Sequence, residues 1–374
     1  METTPAFRGL ECVETGDRYD ATHTGRSDAG AVLDPIYDLD AVDADDFVDA
    51  GSMWRFSPLL PFADPVTADE GGTPLVDAEP LAEELGVDRL FLKDESRNPT
   101  GTVLDRGLSV AVTAAREAHA ASDDGVEPLA LAAAGNAGQS AAAYAGRVDL
   151  RAYAFVPSRA PFSNKAMINV HGGEMRVVGG RYPDAVEALD EDLKSDPYLL
   201  QEFETPYRHE GIKTVAFEVA ADLGWSVPDA MFVPCGTGEV VAGVAKGFSE
   251  LHELGLVDDV PRLYAAQPSG CAPVVTAFDS GASDHEPWQH PDTIVGELEI
   301  PDPAGGDRAL AALRETGGEA VAVDDADALE SAVATTRNVG VEMGPSGGVA
   351  AAAAWDRVDD LDADETVVVL NTES

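Results

Sequence analysis

Short apolar runs alternate with amphipathic segments along most of the chain. Several runs consist almost wholly of apolar residues, which is typical of strands covered on both faces of a parallel sheet. The strands predicted in this way are 89–93, 129–134, 151–156, 174–178, 230–233, 262–267, 320–323 and 366–370. The intervening segments carry apolar residues at helical spacing. They predict helices at 80–85, 138–146, 162–170, 184–194, 212–223, 240–254, 326–339 and 347–358, with a long alanine-rich helix capped by Asp105.

Strand and helix repeat in two successive series, which predicts an α/β fold with parallel sheets flanked by helices. A chain of 374 residues also exceeds what one hydrophobic core usually organises, so two lobes are expected. A ligand would then lie in a cleft at the carboxyl ends of the strands. The longest stretch without a regular pattern is 280–303, and we expect it to border the mouth of that cleft or a subunit contact.

The charge balance excludes whole classes of partner. The chain has 24 Lys and Arg against 69 Asp and Glu, for a formal net charge of -45. Nucleic acids and anionic membranes would be repelled, so neither is expected as a partner. The acids are spread along the whole length, which favours a halophilic protein kept soluble in a very salty cytoplasm over a dedicated acidic binding surface.

Other features of composition also indicate a cytoplasmic protein. The three cysteines, Cys12, Cys235 and Cys271, are too few and too scattered for a disulfide framework, which favours a reducing compartment. No apolar run approaches the roughly 20 residues that a membrane helix needs. The first residues lack the basic and apolar regions of a signal peptide.

The stretch from 71 to 116 contains the most specific sequence motifs in the chain. It contains a Gly-Gly-Thr-Pro turn, the strand ending in Lys93-Asp-Glu, the loop Asn98-Pro-Thr-Gly101 and then Leu104-Asp-Arg-Gly107. In this order the motifs resemble the threonine synthase branch of the pyridoxal-phosphate enzymes with the tryptophan-synthase-β-like fold, or fold type II. The resemblance covers about residues 53 to 370. It implies a two-lobed α/β architecture, pyridoxal phosphate as cofactor, a substrate such as O-phosphohomoserine, serine or threonine, and a homodimer.

One position departs from that family where its chemistry is carried out. The family writes Ser-Phe-Lys-Asp-Arg-Gly, and the lysine amine forms a Schiff base with the cofactor aldehyde. Leu104 stands at the lysine position here. An alkyl side chain can neither hold the cofactor covalently nor move protons at the substrate carbons. We therefore expect no catalytic residue at this position, and lyase activity that is impaired or lost.

The resemblance also assigns the residues that would contact the cofactor. Asn136 matches an asparagine that binds the phenolic oxygen, and Gly236, Thr237 and Gly238 match a phosphate loop that opens a helix. By position, Asn371 takes the place of a threonine or serine that binds the ring nitrogen, with Thr372 as a register-shifted alternative. Two departures accompany these matches: Glu239 replaces a loop glycine, and the glycines that should follow Asn371 are absent. The turn containing Ser346 resembles a family turn beside the cofactor ring, and Ser346 is well placed there as a helix cap.

Residues 1–50 resemble a two-knuckle zinc ribbon that has lost its ligands. The family form has four cysteines, whereas this chain has Cys12, Thr15, Arg26 and Ala29 at the four positions. One thiolate cannot hold tetrahedral zinc, so no metal is expected. By the same resemblance, residues 51–107 and 195–374 form the larger lobe and residues 108–194 a smaller mobile lobe.

Two hypotheses about function remain at this stage. In the first, the protein is an enzyme that holds pyridoxal phosphate without a covalent link, or that forms the Schiff base with another lysine. The lysines of the chain are Lys93, Lys165, Lys194, Lys213 and Lys246. In the second, it is a non-catalytic paralogue that binds a small amino-acid-like or phosphate ligand, or pairs with an active subunit. A lysine adduct with the cofactor would favour the first.

Overall fold

The structure is a computed structural model that describes residues 2–48, 50–123, 125–126, 128–192 and 197–373. It divides into two compact units. Unit 1 contains Met1–Gly71 and Leu104–Thr214, and unit 2 contains Gly72–Val103 and Val215–Ser374. The lobe boundaries given above stay a prediction. In the structure, residues 51–71 belong to the same unit as the described part of 104–214. Lys194 lies outside the described residues.

The described residues form the following strands and helices, with bounds given in chain order. The strands are β1 (Phe7–Cys12), β2 (Arg18–Tyr19), β3 (Leu33–Tyr37), β4 (Leu75–Asp77), β5 (Arg89–Asp94), β6 (Leu129–Ala132), β7 (Ala152–Pro157), β8 (Glu174–Val178), β9 (Tyr198–Leu199), β10 (Ala230–Pro234), β11 (Arg262–Pro268), β12 (Glu319–Val323) and β13 (Thr366–Asn371). The α-helices are α1 (Glu79–Leu85), α2 (Leu104–Ala121), α3 (Asn136–Gly146), α4 (Phe162–Val170), α5 (Tyr182–Asp192), α6 (Arg208–Ile212), α7 (Thr214–Asp222), α8 (Glu239–Glu253), α9 (Pro273–Ser280), α10 (Gly306–Glu315), α11 (Asp325–Val339) and α12 (Pro345–Asp356).

Unit 1 contains two sheets. The first is antiparallel, with strand order β2-β1-β3, and the second is parallel, with order β8-β7-β6-β9. Every residue of β6 is buried, as expected for a central parallel strand. Helices α2 and α3 contribute small and branched apolar side chains to a core that also contains Leu10 and Leu33 of the antiparallel sheet.

Unit 2 is built on a six-stranded sheet with order β12-β11-β10-β13-β5-β4. All its pairs are parallel except β4 with β5. Helix α12 packs the alanines of its sequence against this sheet and against α11. Because β5, β10 and β13 are parallel neighbours, their carboxyl ends at Asp94, Pro234 and Asn371 meet at one edge of the sheet.

The α/β class and most of the predicted elements are confirmed. Two details of the prediction are wrong. The helix predicted at 212–223 is divided between α6 and α7. Asp105 does not cap α2, because the helix begins one residue earlier and Asp105 lies buried in its first turn. None of the helices in the described ranges combines the length and apolar character needed to cross a bilayer.

Candidate functional site

The loop between β10 and α8 passes through Cys235, Gly236, Thr237 and Gly238. Gly238 has φ of 86°, in the left-handed region that glycine tolerates, and a side chain there would collide with the backbone of Gly305. The Gly305 amide donates to the Thr237 carbonyl over 2.8 Å. The tight course of this loop is therefore already explained by packing against the chain around Gly305, whether or not a ligand binds.

Glu239 is the first residue of α8 and is 2% exposed. The N-terminus of a helix carries a partial positive charge and attracts anions. Glu239 thus places a buried acidic side chain on the first residue of the helix whose terminus would otherwise stabilise a phosphate. The predicted phosphate loop keeps its glycines but is followed directly by an acid.

Asn371 ends β13 and is fully buried. Its side-chain nitrogen donates to Asp94 Oδ1 and to the Glu342 carbonyl, each over 3.0 Å. Both partners are acceptors, which fixes the orientation of the amide. Its Oδ1 has no hydrogen-bond partner among the described residues and lies against Gly347, in the first turn of α12. This residue leaves one buried acceptor available for a donor.

A buried acid that the sequence interpretation overlooked lies two residues further on. Ser346 Oγ donates to Glu373 Oε1 over 2.6 Å, and the Thr102 backbone forms an isolated bridge with Glu373. Burial and the neighbouring Glu297 carboxylate raise the pKa of Glu373 to about 8. Burial also raises the pKa of Glu297. Unit 2 therefore has a pair of acids, Glu373 and Glu297, whose pKa values are raised by burial, close to its predicted cofactor contact Asn371 in the sequence and to Gly236 in the fold.

Leu104 begins α2 in unit 1, and its side chain packs against the apolar core of that unit. The three residues that follow, Asp105, Arg106 and Gly107, make packing and hydrogen-bond contacts with neighbouring helices. Ser140 Oγ donates to Asp105 over 2.5 Å, buried Arg106 donates to Thr214 Oγ1 over 3.0 Å, and a side chain on Gly107 would collide with the backbone of Arg208. These contacts hold α2 against α3 and α6 without any ligand.

Asn136 is the first residue of α3, also in unit 1. Its Oδ1 accepts a short hydrogen bond from Asn164 Nδ2 on α4. The structure therefore places the predicted site residues in two sets. Gly236, Thr237, Gly238 and Asn371 follow neighbouring strands of unit 2, whereas Asn136 and Leu104 begin helices of unit 1.

The lysines that could replace a Schiff-base lysine have other partners. Lys93 is fully buried, and its amine donates to the Thr73 carbonyl over 2.7 Å and to Glu218 over 2.8 Å. Lys213 is buried against Glu210. The remaining two described lysines are more exposed: Lys165 donates to the Ser158 carbonyl over 2.8 Å, and Lys246 lies 3.9 Å from Glu250.

The antiparallel sheet β1–β3 forms the N-terminal part of unit 1, and Cys12 lies at its end. Hydrogen bonds from the Ser27 and Thr15 side chains lower the pKa of Cys12 to about 7. Arg26, at one of the positions where the family has a zinc-binding cysteine, pairs with Glu204 at 2.7 Å. Within the described ranges, no three His, Cys, Asp or Glu side chains are grouped to share a metal.

Comparison with known proteins decides the family. A family described as pyridoxal-phosphate dependent enzymes matches residues 66–373. The chain belongs to this family. Threonine synthase of Methanosarcina acetivorans is 34% identical over 97% of this chain and 90% of the relative. Threonine synthase of Methanocaldococcus jannaschii is 32% identical over 96% of this chain and 91% of the relative.

Solved structures agree in fold. A fungal L-serine ammonia-lyase from Rhizomucor miehei superposes with a TM-score of 0.69 at 22% identity, over 81% of this chain and 93% of that one. Maize serine racemase superposes with a TM-score of 0.67 at 19% identity, over 80% and 88%. At these identities the likeness shows the fold alone. The family resemblance predicted from the motifs is confirmed.

Membership of the family implies pyridoxal phosphate as the cofactor, and the residues of each unit can be compared with what that group needs. In unit 2, the buried acceptor of Asn371 suits a ring N–H, but buried Glu239 disfavours a phosphate dianion at the start of α8. In unit 1, the position before Asp-Arg-Gly carries the alkyl side chain of Leu104. The residues present therefore do not fit a phosphate cofactor held through a lysine.

Proposed function

We propose that this protein is a threonine-synthase-like member of the pyridoxal-phosphate enzyme family that has lost lyase chemistry and acts by binding a small ligand. The observation that carries the proposal is Leu104, which stands where the family motif has its lysine. Covalent capture of the aldehyde, exchange with a substrate amine and proton transfer at the substrate carbons all need an amine at that atom.

Glu239 supports the proposal independently, because its effect is electrostatic and arises in the other unit. Two like charges at about 4 Å repel by about 4 kcal/mol at an effective dielectric constant near 20. A phosphate bound within about 4 Å of an ionised Glu239 would experience a repulsion of this order. In equilibrium terms this corresponds to roughly a thousandfold loss of affinity.

The alternative is an enzyme of amino-acid biosynthesis that acts on O-phosphohomoserine, serine or threonine with non-covalently held cofactor. Identity to threonine synthases over nearly the whole chain favours this alternative. Against it stands the cost of losing a positioned acid and base, which is about 10²- to 10⁴-fold in rate. Lys93 is committed to Glu218, and an amine displaced by as little as about 1 Å from a productive geometry loses much of its catalytic value.

The two functions are separated by adding pyridoxal phosphate to the full chain in molar KCl. We expect no Schiff-base absorption band, and no single lysine that becomes labelled after borohydride reduction and peptide mapping. A stoichiometric adduct on Lys93, Lys165 or Lys246 would establish the enzyme alternative. Unrelated surface labelling is recognised because it stays substoichiometric and spreads over several lysines.

Assembly is part of the same proposal. A silent paralogue of this kind acts either as a homo-oligomer, as the family resemblance implies, or together with an active subunit in the cytoplasm. Light scattering of the purified chain, alone and mixed with an active threonine synthase, measures which assembly forms.

A further inference from the structure

A groove of about 480 Å³ lies on unit 2 between the start of β5, the edge strand β4 and the end of α7. Its lining includes Arg89 and Phe91 of β5, Leu75 of β4, and Asp222 with Leu223 at the end of α7. The volume falls within the roughly 300–1,000 Å³ typical of small-molecule sites. The groove shares no residue with Leu104, Glu239 or Asn371, and nothing derived above accounts for it.

Arg89 supplies a cation to this groove. Its guanidinium stacks over the Phe91 ring, 4.4 Å from the centroid, and makes no side-chain hydrogen bond or ion pair within the described part of the chain. In a chain with 69 acidic residues and 24 Lys and Arg, most cations have a carboxylate within reach. A planar guanidinium held by stacking presents N–H groups that match a carboxylate in bidentate geometry.

Asp222 supplies an anion to the same groove. It ends α7, and its side chain is 38% exposed, with Oδ2 3.8 Å from the amine of Lys93. Lys93 itself is bound more closely by Glu218, over 2.8 Å. The C-terminal end of α7 adds partial negative charge beside the Asp222 carboxylate. This part of the groove therefore attracts a small cation such as an ammonium group.

We propose that the groove binds a small zwitterionic amino acid, with its carboxylate on Arg89, its ammonium group on Asp222 and its side chain against Phe91, Leu75 and Leu223. A zwitterion has no net charge, so the formal charge of -45 does not repel it at long range as it would an anion. The ligand class follows from the presence of one guanidinium and one carboxylate in the lining of the same groove, beside the apolar side chains of Leu75, Phe91 and Leu223.

The test uses calorimetric titration of the full chain in molar KCl with L-leucine, L-norvaline and L-threonine as amino-acid probes. Two analogues of leucine each lack one charge: 4-methylpentanoate has no ammonium group and 3-methylbutylamine has no carboxylate. We expect saturable binding of at least one amino acid, and binding about 10- to 100-fold weaker for its two single-charge analogues. No saturable binding of any amino-acid probe, or equal binding of either analogue, overturns the proposal.

Variants locate the site. Arg89→Ala is expected to weaken binding about 10- to 100-fold, and Asp222→Asn to weaken it in the same direction. Arg337→Ala is the matched control, because Arg337 is exposed on α11 and does not line the groove. Binding that survives Arg89→Ala unchanged would contradict the proposal. Since no groove residue belongs to the predicted cofactor contacts, the outcome is independent of the cofactor titration.

Discussion

Glu373 provides the sharpest prediction about the buried acids of unit 2. Its carboxyl is 7% exposed, accepts from Ser346 and has a pKa raised from the ordinary 4.5 to about 8 by burial and by Glu297. The folded protein therefore keeps the proton to a higher pH than the unfolded chain does. Between these two values the unfolded state is ionised and the folded state is not, so the stability of the fold falls as pH rises.

The magnitude follows from the interval between the two pKa values. Each pH unit in that interval is worth about 1.4 kcal/mol of unfolding free energy. From about pH 5 to about pH 8, this one group should remove on the order of 3–4 kcal/mol. Above the folded pKa both states are ionised, and no further loss is expected from this carboxyl.

The assay compares the native chain with Glu373→Gln by urea unfolding at constant KCl, followed by tryptophan fluorescence. The difference in unfolding free energy between the two proteins should change by about 3–4 kcal/mol between about pH 5 and pH 8, in favour of the variant at the higher pH. Glu297→Gln should move the midpoint of this change to lower pH, because it removes one cause of the raised pKa. A difference that stays constant over this range would refute the reasoning.

Three further substitutions test other parts of the site. Lys93→Met should destabilise the fold by roughly 3–5 kcal/mol in urea, because it leaves the Glu218 carboxylate buried without its cation. Gly238→Ala should cost roughly 1–3 kcal/mol or more, since it combines a positive φ with a collision against Gly305. Glu239→Gln should tighten the binding of pyridoxal phosphate at least about tenfold in equilibrium dialysis, because it removes a like charge from the start of α8.

Each of these substitutions has a matched control in the chain. Lys246→Met removes a partly exposed amine 3.9 Å from a carboxylate and should cost less than about 1 kcal/mol. Gly255→Ala has a similar positive φ but open space around it, so its difference from Gly238→Ala isolates the collision. Glu253→Gln changes the same charge at the far end of α8 and should leave cofactor binding unchanged. Equal effects within any pair would contradict the stated cause.

The sequence predicts the parallel sheets well because their strands are buried runs of apolar residues. Helix α4 and strand β8 begin and end where the pattern places them, and 280–303 contains only a short 3-10 turn among its described residues. Helices α9 and α10 are missing from the prediction. The sequence does contain local signals for α9: Pro273 lies in its first turn, and Gly281 follows its last turn in the left-handed conformation.

The properties of the candidate site are harder to predict from the sequence, because they depend on contacts between segments that are distant along the chain. The motif Leu104-Asp-Arg-Gly identifies the family position, but only the fold shows that Arg106 binds Thr214. Glu373 is an ordinary acid in the sequence, and its raised pKa results from packing against Ser346 and Glu297. Likewise, no periodic pattern indicates that Ser27 forms a hydrogen bond with Cys12, since irregular loops have no fixed side-chain alternation.

The central claim is that the chain lacks an amine at position 104 and therefore cannot hold the cofactor covalently. Borohydride trapping of pyridoxal phosphate on the native chain and on the double variant Leu104→Lys with Glu239→Gly, followed by peptide mapping, tests it most directly. We predict a stoichiometric adduct at position 104 in the variant and no stoichiometric adduct in the native chain. A native chain that is trapped stoichiometrically on one of its own lysines would contradict it.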